Sequence, residues 1–363
     1  MRSLRLALLG AFAFPAPLGS QRFFAEQASA LAAAGAEVER FTYAAAGLTL
    51  RGFAPRKLAA DRALRRALLA AHRARRFDAV LAHNAEATLL ALSLRRRLGI
   101  PVVYVAHTLW AEEMETWLPA AAAKLARLSG AALDRALTRR ADGVLALTET
   151  ARRALAPEAH GPAALVAPGH TPEPPPPPAE VAAACARHGL APDGFALYAG
   201  NLDRYQNLAG LEAATVRQPG LPLVAVTHDA HAASFRQLRV IEVGTIEEAR
   251  LLTYGAAVAL LPRRQNGGFP IKLLHYMEAG RAIVLRRGAA AALAHGESAW
   301  LLRDAAGPDD FAAAIRSLAK DAALRARLGS GARRVLESHH AWPARAGETL
   351  ALVRAAITRA AGR

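Results

Sequence analysis

The 363-residue chain has few of the features that mark disulfide-linked, zinc-binding or membrane-spanning proteins. Cys185 is the single cysteine, which excludes an intrachain disulfide and a cysteine-based zinc cluster and suits a half-buried, inert helix position. No charge-free apolar run reaches the roughly 20 residues that cross a bilayer as a helix. The sequence contains no Gly-x-Gly-x-x-Gly after the first strand, no Walker sequence and no Gly-x-Ser-x-Gly elbow. These absences argue against a nicotinamide-dependent oxidoreductase and a nucleotide hydrolase, although hydrolase triads of other kinds stay open.

Positive charge is abundant, and almost all of it is arginine. The formal net charge is +16, with 42 arginines and only four lysines. The arginines are spread along predicted helices, and aromatic residues are not interleaved with them, so we expect no nucleic-acid partner. Such a charge still attracts anionic lipid headgroups and phosphorylated substrates. An anionic membrane surface is therefore an expected partner.

Short apolar strands alternate with helices along the whole chain, which predicts parallel α/β sheets. The length favours two domains. Strands are predicted at 6–13, 37–43, 78–83, 101–107, 142–148, 165–167, 195–199, 223–227, 239–243, 257–261 and 282–285, and a short segment of unassigned type follows at 297–303. Helices are predicted at 20–34, 56–76, 85–98, 120–140, 207–217, 246–254, 270–279, 308–319, 321–338 and 343–360. The N-terminal apolar run also resembles a signal peptide, but the helical periodicity that follows favours a buried first strand.

A proline-rich segment separates the two predicted domains. Residues 168–180 contain five consecutive prolines and predict a stiff linker without helix or central strand. This predicts an N-terminal domain at 1–167 and a C-terminal domain at 181–340. The last helix, 341–363, is expected to pack back on the N-terminal domain. A ligand-binding cleft is expected between the domains.

Residues 266–284 form the most informative motif, because they predict a tight loop, a short helix and an apolar strand. Gly267 and Gly268 allow close backbone approach and positive φ. Pro270 suits a first helical position, and Gly280 suits the position after a helix end. Free amides at the helix start, with Lys272 in the first turn, predict an anion site. A phosphate-bearing ligand is the first hypothesis.

The order of these segments resembles the GT-B glycosyltransferases, specifically the large group 4 of retaining, nucleotide-sugar-dependent enzymes. The resemblance is carried by residues 19–22, 83, 99–107, 141–148, 198–203, 243–245, 257–262, 266–284 and 304–328. It implies an α/β GT-B fold with two doubly wound Rossmann-like domains facing a cleft. The implied reaction is transfer from a nucleotide-diphosphate sugar to a cell-envelope glycan or lipid-linked acceptor, without metal or another cofactor. The implied location is the cytoplasm, at the inner face of the membrane.

The resemblance also assigns residues. His107 and Lys272 are the catalytic candidates, since His107 would contact the sugar and Lys272 the leaving diphosphate. The donor-binding candidates are Gly19, Asn201, Gln206, Arg263, Arg264, Gly267, Gly268, Phe269, Pro270 and His275. His83 is the acceptor-side candidate. The alternative roles are surface solvation for the arginines and ordinary packing for the histidines.

The chain departs from the family pattern at four positions. The two glutamates that the family carries eight residues apart are replaced by Gly267 and His275. A phosphate-binding arginine and lysine are replaced by Asn201 and Gln206. Lys272 is then expected to supply the lost phosphate charge and His275 a neutral ribose contact, with Glu278 as a weaker substitute. The missing acidic pair keeps open a noncatalytic GT-B-like protein that binds a sugar nucleotide or a partner. A sugar-nucleotide epimerase, which shares the two-domain architecture, also stays open.

Overall fold

The computed structural model describes residues 2–14, 19–43, 55–117, 120–217, 219–228, 235–264 and 267–362. The chain divides into two compact units. The first comprises Met1–Gly169, Asn266–Phe269 and His340–Arg363, and the second comprises His170–Gln265 and Pro270–His339. Among the described residues, no helix combines the length and the apolar character needed to cross a membrane.

The first unit is built on a six-stranded sheet that is parallel throughout. Its strands are β1 (Arg5–Ala13), β2 (Glu37–Tyr43), β3 (Ala79–His83), β4 (Val102–Ala106), β5 (Gly143–Ala146) and β6 (Ala163–Leu165). They lie in the order β2-β1-β3-β4-β5-β6. Every residue of β3 and β4 is buried, because helices cover both faces of a parallel sheet.

Helices follow most of these strands. They are α1 (Gly19–Ala33), α2 (Pro55–Ala74), α3 (Asn84–Ser93), α4 (Arg95–Leu98), α5 (Trp110–Trp117), α6 (Ala123–Arg140) and α7 (Glu149–Leu155). Helix α14 (Trp342–Ala361), near the C-terminal end, belongs to this unit as well. Its Trp342 Nε1 donates to Glu26 Oε2 of α1 at 3.1 Å.

The second unit repeats the plan with its own six-stranded parallel sheet. Its strands are β7 (Ala196–Ala199), β8 (Leu223–Thr227), β9 (Arg239–Glu242), β10 (Val258–Leu261), β11 (Ala282–Arg286) and β12 (Trp300–Leu302), in the order β12-β11-β10-β7-β8-β9. Its helices are α8 (Pro178–Arg187), α9 (Leu208–Thr215), α10 (Ile246–Gly255), α11 (Lys272–Glu278), α12 (Pro308–Lys320) and α13 (Ala322–His339).

The strand orders place one topological switch point in each sheet. In the first sheet, the chain moves outward from β1 to β2 and then returns to place β3 on the other side of β1. In the second sheet, β7 leads to β8 and β9, and β10 then pairs with the free side of β7. Open α/β sheets bind ligands at the carboxyl ends of the strands that flank such a point. The residues after β1, β3, β7 and β10 are therefore the positions of interest.

The predicted α/β class with two doubly wound sheets is confirmed. The N-terminal run that resembles a signal peptide forms strand β1. Most predicted elements agree with the observed ones to within two residues, because buried strands of Val, Leu and Ala between amphipathic helices leave a strong local pattern.

Three sequence predictions about the second unit need correction. The proline-rich segment is not free of helix, because α8 begins at Pro178, where a missing N–H costs nothing. Cys185 is completely buried rather than half-buried, since it packs in the apolar cluster between α8 and β7. Helix α11 begins at Lys272, two residues after Pro270. A tight turn precedes it, in which the amides of Leu273 and Leu274 donate to the carbonyls of Pro270 and Ile271.

Candidate functional site

Lys272 lies at the switch point of the second sheet. Its Nζ donates to the Tyr198 hydroxyl at 2.5 Å and lies 3.9 Å from the centre of that ring. A side chain at Gly200 would collide with Nζ, since a Cβ at that position would lie 2.5 Å from it. Gly200 also has φ of +139°, which favours glycine. Burial lowers the pKa of Lys272 well below its ordinary value, and the nearby Arg263 lowers it further.

Asn201 and Gln206 lie together beside this lysine. Gln206 Nε2 donates to Asn201 Oδ1 at 2.8 Å, and the Tyr198 hydroxyl donates to the Asn201 carbonyl at 2.5 Å. Asn201 Nδ2 contacts the Tyr205 hydroxyl at 3.3 Å. The structure thus brings both donor-binding candidates into one hydrogen-bonded group with Tyr198, the strand residue that also binds Lys272.

The two arginine candidates separate. Arg263 is buried after β10, with its guanidinium 5.7 Å from the centre of the Tyr205 ring. Arg264 is exposed. The neighbouring Arg286, which is almost completely buried, donates to the carbonyls of Arg263 at 3.2 Å and Ala306 at 2.8 Å. Arg263 therefore shares the Lys272 group, Arg286 fixes the chain after β10, and Arg264 faces solvent.

The glycine loop of the motif groups with the first unit, and both glycines lie close to protein atoms. Gly267 N–H donates to Glu112 Oε2 at 2.8 Å, and a Cβ at Gly267 would lie 2.9 Å from Leu109. A Cβ at Gly268 would lie 2.9 Å from the His107 carbonyl oxygen. Gly268 does not have positive φ. Glycine is required at both positions for close approach to protein atoms.

Phe269 and Pro270 of this loop are buried. The Phe269 ring lies 5.5 Å from that of His340, and Pro270 supplies the carbonyl that accepts the Leu273 N–H. The prediction of free amides at the start of α11 is wrong for Leu273 and Leu274, whose N–H groups are already used in this turn. Any anion site at this position therefore depends on side chains.

His275 lies beside Glu278 and His170 in the second unit. Its Nδ1 is 3.9 Å from Glu278 Oε2, and His170 Nε2 is 3.2 Å from the same oxygen. Glu278 is buried, and its Oε1 accepts the Glu173 N–H at 2.6 Å. Burial would raise the pKa of Glu278, but the two histidines and this amide lower it well below its ordinary value. Glu278 is thus occupied within the protein, which does not fit the predicted substitute contact to ribose.

His83 and His107 form a pair at the carboxyl ends of β3 and β4. His83 Nδ1 lies 2.9 Å from His107 Nε2, and the rings of Phe23 and Phe24 surround them. Burial lowers the pKa of His107 to about 4, and burial together with His107 lowers that of His83. Both rings are therefore neutral near pH 7, so one nitrogen of the pair donates and the other accepts. The acceptor-side and catalytic candidates of the first unit share one site.

Gly19 is the exposed first residue of α1. The loop before it, which the resemblance predicts to approach the sugar, falls at residues 15–18 and lies outside the described residues.

Sequence reasoning overlooked two groups near the candidate residues. Tyr198 holds Lys272, and Glu113 of α5 has a pKa that burial, with Glu86 and Asp134, raises to about 7. A useful signal was the acidic pair Glu112 and Glu113 soon after the strand that leads to His107.

Two family models together account for most of the chain. Residues 18–193 match the model described as Glycosyltransferase Family 4, and residues 195–321 match the model described as Glycosyl transferases group 1. Comparison with curated proteins gave no match.

Solved structures share the fold at low sequence identity. A sucrose-phosphate synthase from Thermosynechococcus elongatus is 18% identical, with a TM-score of 0.76, over 97% of this chain and 98% of that one. HepE from Anabaena, in complex with UDP and glucose, is 14% identical, with a TM-score of 0.72, over 96% and 99%. WaaG, a glycosyltransferase of lipopolysaccharide biosynthesis, is 17% identical, with a TM-score of 0.69, over 95% and 99%. The chain is a glycosyltransferase of the GT-B class and belongs to the family 4-like group.

Proposed function

We propose that this glycosyltransferase moves a sugar from a nucleotide-diphosphate donor to a cell-envelope glycan or lipid-linked acceptor, with retention at the anomeric carbon and no metal in the transfer step. The observation that carries the proposal is the partly buried lysine held by Tyr198 at the switch point of the second sheet. Lys272 and Arg263 place two positive groups near each other where parallel α/β sheets bind ligands.

The chemistry of the reaction needs such a group. When the bond between the anomeric carbon and the phosphate oxygen breaks, negative charge develops on the departing diphosphate. A preorganised ammonium group lowers the barrier most effectively in a site that excludes water. The Tyr198 hydroxyl and the restriction at Gly200 hold the Lys272 ammonium in one place. Lys272 then replaces the phosphate-binding charges that are missing at Asn201 and Gln206.

The low pKa of Lys272 fits an anion-binding role. Burial and the positive Arg263 both disfavour its protonated form. A bound diphosphate would neutralise this repulsion and favour the ammonium. Donor binding would then take up a proton at pH values between the lowered pKa of the free protein and the higher pKa of the complex, so the affinity for the donor falls as the pH rises in that range.

A uridine nucleotide is the first donor to test. HepE from Anabaena, which shares the fold, has been solved in complex with UDP-glucose. Such a donor would place its diphosphate against Lys272 and Arg263, while Asn201 and Gln206 would offer uncharged polar contacts. His275, at the position of the family's ribose-binding glutamate, would provide the ribose contact.

The neutral histidine pair suits contacts with an uncharged sugar. His107 would offer one nitrogen to a hydroxyl of the transferred sugar while its Nε2 remains paired with His83. His83 is completely buried, so it would orient His107 and would not touch the acceptor directly.

Exposed leucines on the first unit support a lipid-linked acceptor. Leu58 of α2 is 63% exposed, and Leu125 and Leu128 of α6 are 69% and 60% exposed. Lys124 and Arg127 flank the α6 leucines and are exposed too. Apolar side chains next to basic ones suit the interface of an anionic membrane.

The proposal predicts that Lys272→Ala lowers kcat/KM for the donor by about 100-fold, the typical loss on removing one such charge-stabilising group. This loss is measured as the rate of nucleoside diphosphate release from a panel of nucleotide sugars. The first assay uses UDP-glucose and a mixture of glycan and lipid-linked acceptors. Lys320→Ala is the matched control, because Lys320 is an exposed lysine in the same unit. It should retain the parent rate.

Two results would refute the proposal. Equal turnover by Lys272→Ala and the parent would show that Lys272 does not stabilise the leaving diphosphate. Donor binding without release of diphosphate in any acceptor mixture would show that the protein does not catalyse sugar transfer.

A further inference from the structure

Two histidines and a glutamate of the second unit point their ligand atoms at one another. His275 and Glu278 lie one turn apart on α11, and His170 lies in the segment before the proline run. One ligand atom from each of the three side chains lies within 4.8 Å of those of the other two. Because Glu278 Oε2 is 3.2 Å from His170 Nε2 and 3.9 Å from His275 Nδ1, the three atoms surround a small common space.

These distances fit a tetrahedral metal ion. Zinc binds imidazole nitrogen and carboxylate oxygen at roughly 2.0–2.2 Å, which separates neighbouring ligand atoms by about 3.3 Å. Of the three separations, that between His170 Nε2 and Glu278 Oε2 already has about this value, and that between His275 Nδ1 and Glu278 Oε2 needs a shift of less than about 1 Å. The third, between the two histidines, is within 4.8 Å and needs a shift of no more than about 1.5 Å. Two imidazoles and one carboxylate leave a fourth position for water. The half-exposed His275 side gives an ion access from solvent.

The surroundings of the group also suit a metal. A ligating carboxylate is normally held by a hydrogen bond from outside the site, and Glu278 Oε1 accepts one from the Glu173 N–H at 2.6 Å. His170 is 4% exposed, and its Nε2 makes no hydrogen bond of acceptable geometry with any described residue. A buried ring nitrogen aimed at a carboxylate oxygen is a ligand that an ion would satisfy.

We infer that His170, His275 and Glu278 form a divalent transition-metal site, with Zn²⁺ as the expected ion. The ion fastens the segment around His170 to α11, the helix that carries Lys272. The inference concerns binding to the protein alone and does not depend on the proposed donor or acceptor. It also leaves sugar transfer itself independent of a metal.

Zinc titration of the chelator-treated full-length protein, without nucleotide sugar, tests the inference by calorimetry. We expect one Zn²⁺ per chain. His275→Ala should weaken binding by more than about 100-fold, because losing even an outer-shell partner costs 10- to 100-fold. His170→Ala and Glu278→Gln should weaken it as well. His188→Ala is the matched control, since His188 Nε2 lies 3.0 Å from Glu248 Oε1 in the same unit without a third ligand.

A second measurement keeps the test valid if a variant folds poorly. Co²⁺ added to the parent protein should give the intense visible absorption of four-coordinate cobalt, and Zn²⁺ should displace it. His188→Ala should retain this spectrum, and the half-exposed His275→Ala should lose it while keeping the parent circular dichroism. The inference is wrong if the parent binds no Zn²⁺, if His275→Ala binds it as tightly as the parent, or if His188→Ala abolishes binding.

Discussion

Ionisable side chains inside both units have shifted pKa values that the composition does not indicate. In the first unit, His83 and His107 lie within hydrogen-bond distance of each other and against the rings of Phe24 and Phe23. The pKa of His107 is about 4 in the folded protein and near 6.5 when the chain is unfolded. Between these values the unfolded state binds a proton that the folded state does not. Stability therefore falls as the pH drops through this window.

This difference predicts a measurable slope. For each such histidine, the free energy of unfolding should fall by up to about 1.4 kcal/mol per pH unit below about pH 6.5. His107→Gln removes one titrating ring and leaves a polar partner for His83, so its slope should be shallower. Urea unfolding at several pH values between about 6.5 and about 4 measures it. The exposed His160→Ala variant should keep the parent slope. Identical slopes for His107→Gln and the parent would contradict the assignment.

At the scale of elements, helix α13 determines how tightly the turn after α11 can pack. Gly280 ends that turn with φ of +61°, in agreement with the prediction for a residue just beyond a helix. Gly329 of α13 lies against it, and a Cβ there would come within 1.9 Å of the Gly280 carbonyl oxygen. A Cβ at Gly331 would likewise lie 2.1 Å from the Glu297 carbonyl oxygen. The contact is between backbones, so no side-chain rotation can relieve an added methyl group.

Gly329→Ala should therefore destabilise the second unit by about 1–3 kcal/mol, the usual cost of overpacking. Gly347→Ala in α14 is the control, because a Cβ there meets nothing within 4 Å. It should be neutral or stabilising by up to about 1 kcal/mol, since alanine favours helix more than glycine does. Thermal unfolding of the two variants compares them. Equal melting temperatures for both would contradict the packing argument.

At the scale of the whole molecule, the net charge of +16 and the exposed leucines of α2 and α6 act together. The charge draws the protein toward an anionic surface from a distance. The apolar side chains contribute only after contact. We therefore predict reversible association with an anionic membrane surface.

Vesicle flotation tests the association. The protein should float with vesicles that contain anionic lipid and much less with neutral ones, and salt at about 0.5 M should release it by screening the charges. The double variant Leu125→Gln and Leu128→Gln should bind anionic vesicles more weakly. Val216→Gln, at a 59% exposed site in the second unit, should not. Equal flotation with neutral and anionic vesicles would refute the electrostatic account.

The two-sheet α/β architecture is readable from the chain because its pattern is local. Apolar runs such as 79–83 and 258–261 alternate with helical periodicity, and glycine marks the helix ends. The positions of His83, His107 and Lys272 near strand ends and a loop are predictable for the same reason. Element boundaries near proline are less so, because a proline suits both a turn before a helix and its first position, as Pro270 and Pro178 show.

The partners of those side chains depend on tertiary structure. Nothing in the local sequence indicates that Lys272 binds Tyr198 across 74 residues, or that Glu278 meets His170 across 108. The contact of Gly267 with Glu112, 155 residues away, is likewise absent from the local pattern. The sequence by itself determined which segments become strands and helices, because that choice depends on neighbours a few residues apart. Only the folded sheets decided which charges become buried together, because burial and pKa depend on distances in space.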